Sequence, residues 1–164
     1  MEVKTVRIVV MSDSHGCLSA ARKIVEKNVG HADMFIHLGD GEKDYAALKD
    51  LFPNETFHYI KGNCDSGDFP DSEIIEAAGV KIFCTHGHRY TVSITPDRLC
   101  LAARLSGCKI ALYGHTHSRE TRYEEGLYIM NPGSCSCPRD GGKPSFGTIE
   151  ITDKEIITGI YDVP

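Results

Sequence analysis

Apolar positions along this chain follow two periods, one after the other. Val6-Arg7-Ile8-Val9-Val10-Met11 is short, β-branched and nearly continuous, the pattern of a strand buried on both faces. It breaks at Ser12-Asp13-Ser14-His15-Gly16, after which Leu18, Ala21, Ile24 and Val25 recur at helical spacing. Met34-Phe35-Ile36-His37-Leu38 is a second apolar run, ending in Gly39-Asp40-Gly41. A helix is predicted over about 43–51, stopped near Pro53. Thr56-Phe57-His58-Tyr59-Ile60 then runs into Lys61-Gly62-Asn63-Cys64-Asp65. Strand, polar turn and helix in repetition predict a β-α-β-α-β start built on a parallel sheet.

The second half is richer in strands. Ser72–Glu76 and Val80–Cys84 flank Ala77-Ala78-Gly79 and read as a hairpin. Thr95-Pro96-Asp97 opens a helix, with threonine as N-cap and proline at the first helical position, running to about Ser106-Gly107. Lys109–Tyr113 is another strand, ending in Gly114-His115-Thr116-His117. Strand-like runs follow at about 119–123, 127–130, 145–151 and 155–161. The pattern contains no linker, repeat or low-complexity segment. It predicts one α/β domain over 1–164, with two sheets packed face to face and helices outside, an αββα sandwich.

Composition narrows the function classes. The chain has 164 residues, 41% of them hydrophobic and 25% charged, within the ordinary range for a soluble globular protein. No apolar stretch approaches the roughly 18 residues that cross a bilayer. Met1-Glu2-Val3-Lys4 mixes charge into the leading run and offers no signal-peptide pattern. The net charge of −5 supplies no general attraction for nucleic acid or an anionic membrane. Seven cysteines without a Cys-x-x-Cys pair point to reduced thiols in a cytosolic protein rather than disulfides or a structural zinc site.

The candidate chemistry collects where strands end. Asp13-x-His15, Gly39-Asp40, Gly62-Asn63, His86-Gly87-His88 and Gly114-His115-Thr116-His117 each follow an apolar run. In α/β sheets the C-terminal ends of parallel strands face one crevice, so ligands far apart in sequence converge. Seven donors (Asp13, His15, Asp40, Asn63, His86, His115 and His117) exceed what one tetrahedral ion needs. They suit two ions sharing a carboxylate. Nitrogen and oxygen donors without thiolate point to manganese, iron, nickel, cobalt or zinc. Two divalent ions carry about +4, and two aspartates with a hydroxide remove about 3, which leaves a local centre near +1 for an anionic substrate. His37 and His58 lie inside strands and read as sheet residues, and His31 reads as solvated. His88 is linked to His86, with a supporting or substrate-contacting role.

This ordered set resembles the calcineurin-like metallophosphoesterase superfamily. Asn131-Pro132-Gly133-Ser134 with Pro138-Arg139 is similar to its small YfcE-type phosphodiesterase branch. The resemblance implies two metals, one held by Asp13, His15, Asp40 and His117, the other by Asp40, Asn63, His86 and His115, with Asp40 bridging. It implies in-line attack on a small phosphate ester, most readily a diester, by a metal-bridging hydroxide. Asn63, His88 and Arg139 are the candidate substrate contacts. Many members carry histidine after the asparagine; here Cys64 stands there, followed by Asp65, so Cys64, Asp65 and His88 are the candidates for proton chemistry. The alternative is a protein-interaction scaffold of the same fold, resembling a retromer subunit, with little turnover. Homo-oligomer formation through strand edges is compatible with either.

Overall fold

In the computed structural model, residues 4–164 are described; Met1, Glu2 and Val3 of the charged leading stretch lie outside the described residues. The first strand shows why the opening run is continuous. In β1 (Val6–Met11), Ile8 and Val10 face one core cluster while Val9 and Met11 face another, and all four are buried. β2 (Met34–His37) and β3 (Phe57–Tyr59) line up beside it in parallel. α1 (Leu18–Asn28) and α2 (Glu42–Leu51) make the crossovers and cover one face of this sheet with Ala21, Ile24, Val25 and Leu48.

The second sheet is built from the strand-rich half. β4 (Ser72–Ala77) and β5 (Val80–Thr85) pair antiparallel across a two-residue turn. Ala78 and Gly79 both adopt positive φ there, as a tight hairpin turn of this kind requires. A 3-10 turn (His88–Tyr90) and α3 (Asp97–Leu105) lead into β6 (Ile110–Leu112), then β7 (Glu120–Glu124) and β8 (Leu127–Asn131). α3 begins one residue later than its sequence suggests: Pro96 is the cap position, and Thr95 Oγ1 accepts from the Asp97 N–H at 3.3 Å. Proline lacks the N–H that a first helical turn leaves unpaired, so its place at the boundary costs nothing.

The last two strands return to the first sheet. β9 (Ser145–Ile151) pairs antiparallel with β1, and β10 (Ile156–Asp162) with β9. The strand orders are therefore β10-β9-β1-β2-β3 and β4-β5-β6-β8-β7. Between the sheets lies the main core, with Ile8, Val10, Ile36 and Ile149 on one side and Ile82, Cys84, Ile110 and Leu112 on the other. α3 closes the outer face of the second sheet through Leu99, Cys100 and Ala103 on Phe83, Ala111 and Ile129. The layers run helices, sheet, sheet, helix, as the hydrophobic pattern predicts. All seven cysteines are free, and Cys84, Cys100, Cys108 and Cys135 are buried as small apolar groups.

Candidate metal centre

Three strands of the first sheet and two of the second stop along one edge of the sandwich. Asp13 and His15 follow β1, Asp40 follows β2, and Asn63 follows β3; His86 follows β5, and His115 and His117 follow β6. The crevice thus spans both sheets rather than the end of one. Backbone bonds tie its loops together: Asp13 N–H donates to Gly39 O at 3.0 Å, His15 N–H to Asp40 O at 2.9 Å, and Gly114 N–H to His86 O at 3.0 Å.

Five of the seven candidate donors have left-handed backbone. Asp13, His15, Asp40, His115 and His117 sit at φ between 45° and 69°. Aspartate and histidine tolerate this region better than most residues, yet each still costs on the order of 1 kcal/mol or more. Such strain persists only where the surroundings fix it, and it concentrates at functional sites.

The donors converge. His15 Nε2 lies 3.1 Å from His117 Nε2, and His117 Nε2 lies 3.2 Å from Asp13 Oδ1. His86 Nε2 is 3.3 Å from Asp40 Oδ2 and 2.9 Å from Asn63 Oδ1, which also lies 2.9 Å from His115 Nδ1. His86 Nδ1 donates to Leu38 O at 2.7 Å and His117 Nδ1 to Cys137 O at 2.8 Å. Those backbone acceptors fix the tautomer, leaving each Nε2 lone pair turned into the crevice, the usual preparation of a metal-binding imidazole.

Asp13 Oδ1 is the decisive atom. Asp13 is fully buried, its Oδ2 accepts from Ser12 Oγ at 2.5 Å and His115 N–H at 3.1 Å, yet Oδ1 has no hydrogen-bond partner among the described residues. A buried anionic oxygen left so, 3.2 Å from His117 Nε2 and 3.7 Å from His15 Nε2, fits a divalent cation that would displace the imidazole protons. Asp13, Asp40 and His86 form one group of ligand atoms within 4.8 Å of one another. The electrostatics agree. Burial opposes the Asp13 charge, but His117 and His15 outweigh it and hold the carboxyl far below its ordinary range. Asp13 in turn raises His117 to about 9, against burial. Burial also works against Asp40, whose carboxyl is held down by His86.

Other expected residues fall around this centre in different ways. The ring centroids of His88 and His86 are 5.4 Å apart; burial and the charge of His86 keep His88 below its usual pKa. Arg139 is exposed at the rim: its N–H donates to His117 O at 2.9 Å, and its side chain makes no ion pair or hydrogen bond among the described residues. Cys64 is exposed, and its N–H donates to Asp40 Oδ1 at 2.8 Å. The Asp65 carboxylate is taken up by its own loops: its Oδ2 accepts from Gly62 N–H at 2.7 Å, Tyr59 OH at 2.7 Å and Asp40 N–H at 2.9 Å. It acts by shaping the loop that carries Asp40. His31 is exposed, and His58 faces Glu73 at 3.4 Å.

Several supporting contacts carry no sequence signal, even where, as at Asn131, the residue itself stands in a motif. His37 is buried; its Nδ1 accepts from Gly39 N–H at 3.1 Å, so its Nε2 donates to Ser14 Oγ at 2.9 Å. Ser14 Oγ then donates to Asp44 Oδ2 at 2.5 Å, which also accepts from Gly16 N–H. This buried chain clamps the loops of Asp13 and Asp40 to α2. Tyr59 OH accepts from Gly41 N–H at 2.9 Å, and Asn131 Nδ2 donates to Gly114 O at 3.0 Å, steadying the histidine loop after β6. Each partner is fixed by tertiary proximity alone.

Comparison with known proteins agrees with this geometry. Residues 6–154 match the family described as the calcineurin-like phosphoesterase superfamily domain. A probable metallophosphoesterase of Bacillus subtilis, YsnB, is 30% identical over 158 residues, covering 94% of this chain and 90% of the relative. The phosphodiesterase YfcE of Escherichia coli is 28% identical over 167 residues, covering 88% of this chain and 87% of the relative. A Streptococcus pneumoniae protein named as a predicted phosphoesterase shares the fold with a TM-score of 0.86 and 28% identity, over 99% of this chain and 95% of that one. On its sequence, its layers and the donors gathered at its strand ends, the chain belongs to the calcineurin-like phosphoesterase superfamily.

Proposed function

We propose that this chain is a metal-dependent phosphoesterase that uses two divalent transition-metal ions and acts on phosphodiesters in preference to monoesters. The observation that carries the reading is the buried, unpartnered Asp13 Oδ1, set among imidazoles that converge from three strand ends. Asp13, His15 and His117 would hold one ion, Asn63, His86 and His115 the other, and Asp40 both. When bound, such ions supply Lewis acidity toward a phosphoryl oxygen and lower the pKa of water held there.

The chain's own residues do the rest. Asp65 and Tyr59 hold the Asp40 loop from beneath. Arg139, whose backbone meets that of His117, and His88, beside His86, would meet the substrate's charge. A cleft of about 170 Å³, lined in part by His15, Asp40, Gly41, Lys43, Cys64 and Asp65, opens beside the centre and receives the alcohol arm. The preference for diesters is supported by relatives named phosphodiesterase.

The test is an assay of bis-p-nitrophenyl phosphate against p-nitrophenyl phosphate after chelation and reloading, with bound metal counted. Turnover should require metal and favour the diester. A fully loaded protein without turnover on either would leave the scaffold reading in its place.

A further inference from the structure

Among the described residues, four strands end the two sheets, and three of them are guarded. β3 is three residues long, β4 carries Glu73 and Glu76, and β7 carries Glu120, Arg122 and Glu124. Short length and charges of this kind keep an edge from pairing with another chain. β10, Ile156-Ile157-Thr158-Gly159-Ile160-Tyr161-Asp162, has no lysine, arginine, proline or bulge. Its one charge, Asp162, stands at the last position and is taken by Arg119 Nη2 at 3.1 Å. The ladder with β9 shows which way the amides point. Val163 N–H donates to Pro144 O at 2.8 Å and Thr152 N–H to Glu155 O at 3.0 Å, so the odd-numbered residues of β10 bond to β9. The N–H and C=O groups of Ile156, Thr158, Ile160 and Asp162 therefore point off the sheet, and none bonds to another part of the chain among the described residues.

We propose that β10 is a docking edge for a second copy of this chain, joining the two first sheets across a two-fold axis into one continuous sheet. The occupant is a second copy because the edge is complementary to itself. Antiparallel pairing of the whole strand places the axis at Gly159. Thr158 of one copy then exchanges N–H···O bonds with Ile160 of the other, and Ile156 with Asp162, so the outward groups of both copies fall in one register. No like charges face one another, since Asp162 falls opposite Ile156. Ile157, Gly159 and Tyr161 lie on the face that carries the helices, beside Phe146. There Ile157 meets Tyr161 of the second copy, a β-branched and aromatic pair made twice. In the single chain these two side chains are 48% and 52% exposed. Gly159 faces Gly159 of the second copy at the axis, a non-hydrogen-bonded position where the backbones come closest and no side chain intervenes. The Tyr161 ring leans over Gly159, where a Cβ would stand 2.9 Å from Tyr161 OH. The edge involves no residue of the metal centre.

Sedimentation equilibrium of the full chain over about 1–100 μM tests this without reference to activity. Wild type should be a reversible dimer. Thr158→Pro removes an outward N–H that β9 does not use, so it should keep the wild-type circular dichroism. It should weaken association by about tenfold or more, through two hydrogen bonds lost across the axis. Ile157→Lys with Tyr161→Lys sets like charges opposite each other and should give a monomer. Ile157→Lys with Tyr161→Glu sets opposite charges there and should recover the dimer at low salt. A wild type that stays monomeric throughout overturns the proposal. So does a dissociation constant unchanged by Thr158→Pro, or a dimer that survives Ile157→Lys with Tyr161→Lys, since the copies would then meet elsewhere. A monomer in the lysine and glutamate combination overturns the register about Gly159.

Discussion

Asp40 is held from both sides. Its Oδ1 accepts the Cys64 N–H, its Oδ2 faces His86 at 3.3 Å and His15 at 3.8 Å, and its own backbone is left-handed. A carboxylate bridging two ions neutralises charge and sets their spacing near 3.5–4 Å. Asp40→Asn should therefore lower kcat/KM by more than about 100-fold, whereas Asn63→Ala, which leaves His86, His115 and Asp40, should fall within about 10–100-fold. Steady-state kinetics on folded variants with counted metal decide it; equal or reversed losses would show the bridge misassigned. Cys64 carries the second residue-scale prediction. Burial and the neighbouring Asp40 carboxylate push its thiol above the ordinary range, so it is a weak proton donor to a leaving alkoxide. The rate should fall steeply from p-nitrophenolate to alkyl leaving groups, and Cys64→His should flatten that slope. An unchanged slope would mean that protonation comes from elsewhere, with His88 the next candidate.

Elements place the donors only because the backbone between them is tightly packed. Gly39 has φ of +109°, and a Cβ there would stand 2.6 Å from Gly62 N and 2.9 Å from His86 Nδ1. Both neighbours belong to ligand-bearing loops of different strands, so a methyl group cannot be absorbed by one flexible side chain. Gly39→Ala should cost on the order of 1–3 kcal/mol or more and weaken metal binding together with stability. By contrast Ile82→Ala, in the core between the sheets and away from the loops, should cost about 2–5 kcal/mol while leaving metal stoichiometry unchanged. Chemical denaturation paired with metal titration separates the two patterns. Tight metal binding by a destabilised Gly39→Ala protein would count against this account of the loops.

For the whole molecule, pH and metal act together. Burial holds His37 at about 4, below its ordinary value near 6.5. The unfolded chain binds that proton first, so metal-free stability should fall by about 3 kcal/mol as pH drops from 6.5 toward 4. His117 works in the other direction. Its pairing with Asp13, which raises it to about 9, contributes stability that is complete below pH 6.5 and lost as pH rises through 9. Metal-free protein should therefore be most stable near pH 6.5, and bound metal should flatten the alkaline arm by replacing the proton. Unfolding midpoints across pH 4–9, with and without metal, test this. His37→Asn should shrink the acid arm alone. Chelation should also abolish turnover, with manganese, nickel or cobalt restoring more than magnesium because imidazoles outnumber carboxylates.

The sequence by itself determined the elements and the donor types. β1 reads as a doubly buried strand because Ile8 and Val10 bury one face while Val9 and Met11 bury the other, and a continuous apolar run can mean little else at that length. The candidate donors were legible too, since aspartate, asparagine and histidine recur together beside glycine at the ends of five strands. Periodicity records which face is buried but not which strand lies alongside. Only the tertiary structure decided that β9 and β10 rejoin the first sheet beside β1, and that the crevice spans both sheets. The same limit hid the chain from His37 through Ser14 to Asp44, the Tyr59 contact with Gly41 and the approach of Cys137 to His117. These are polar contacts between residues 18 or more positions apart, satisfied because burial leaves unpaired polar groups no water. Local pattern fixes what a side chain can do; long-range packing fixes what it meets.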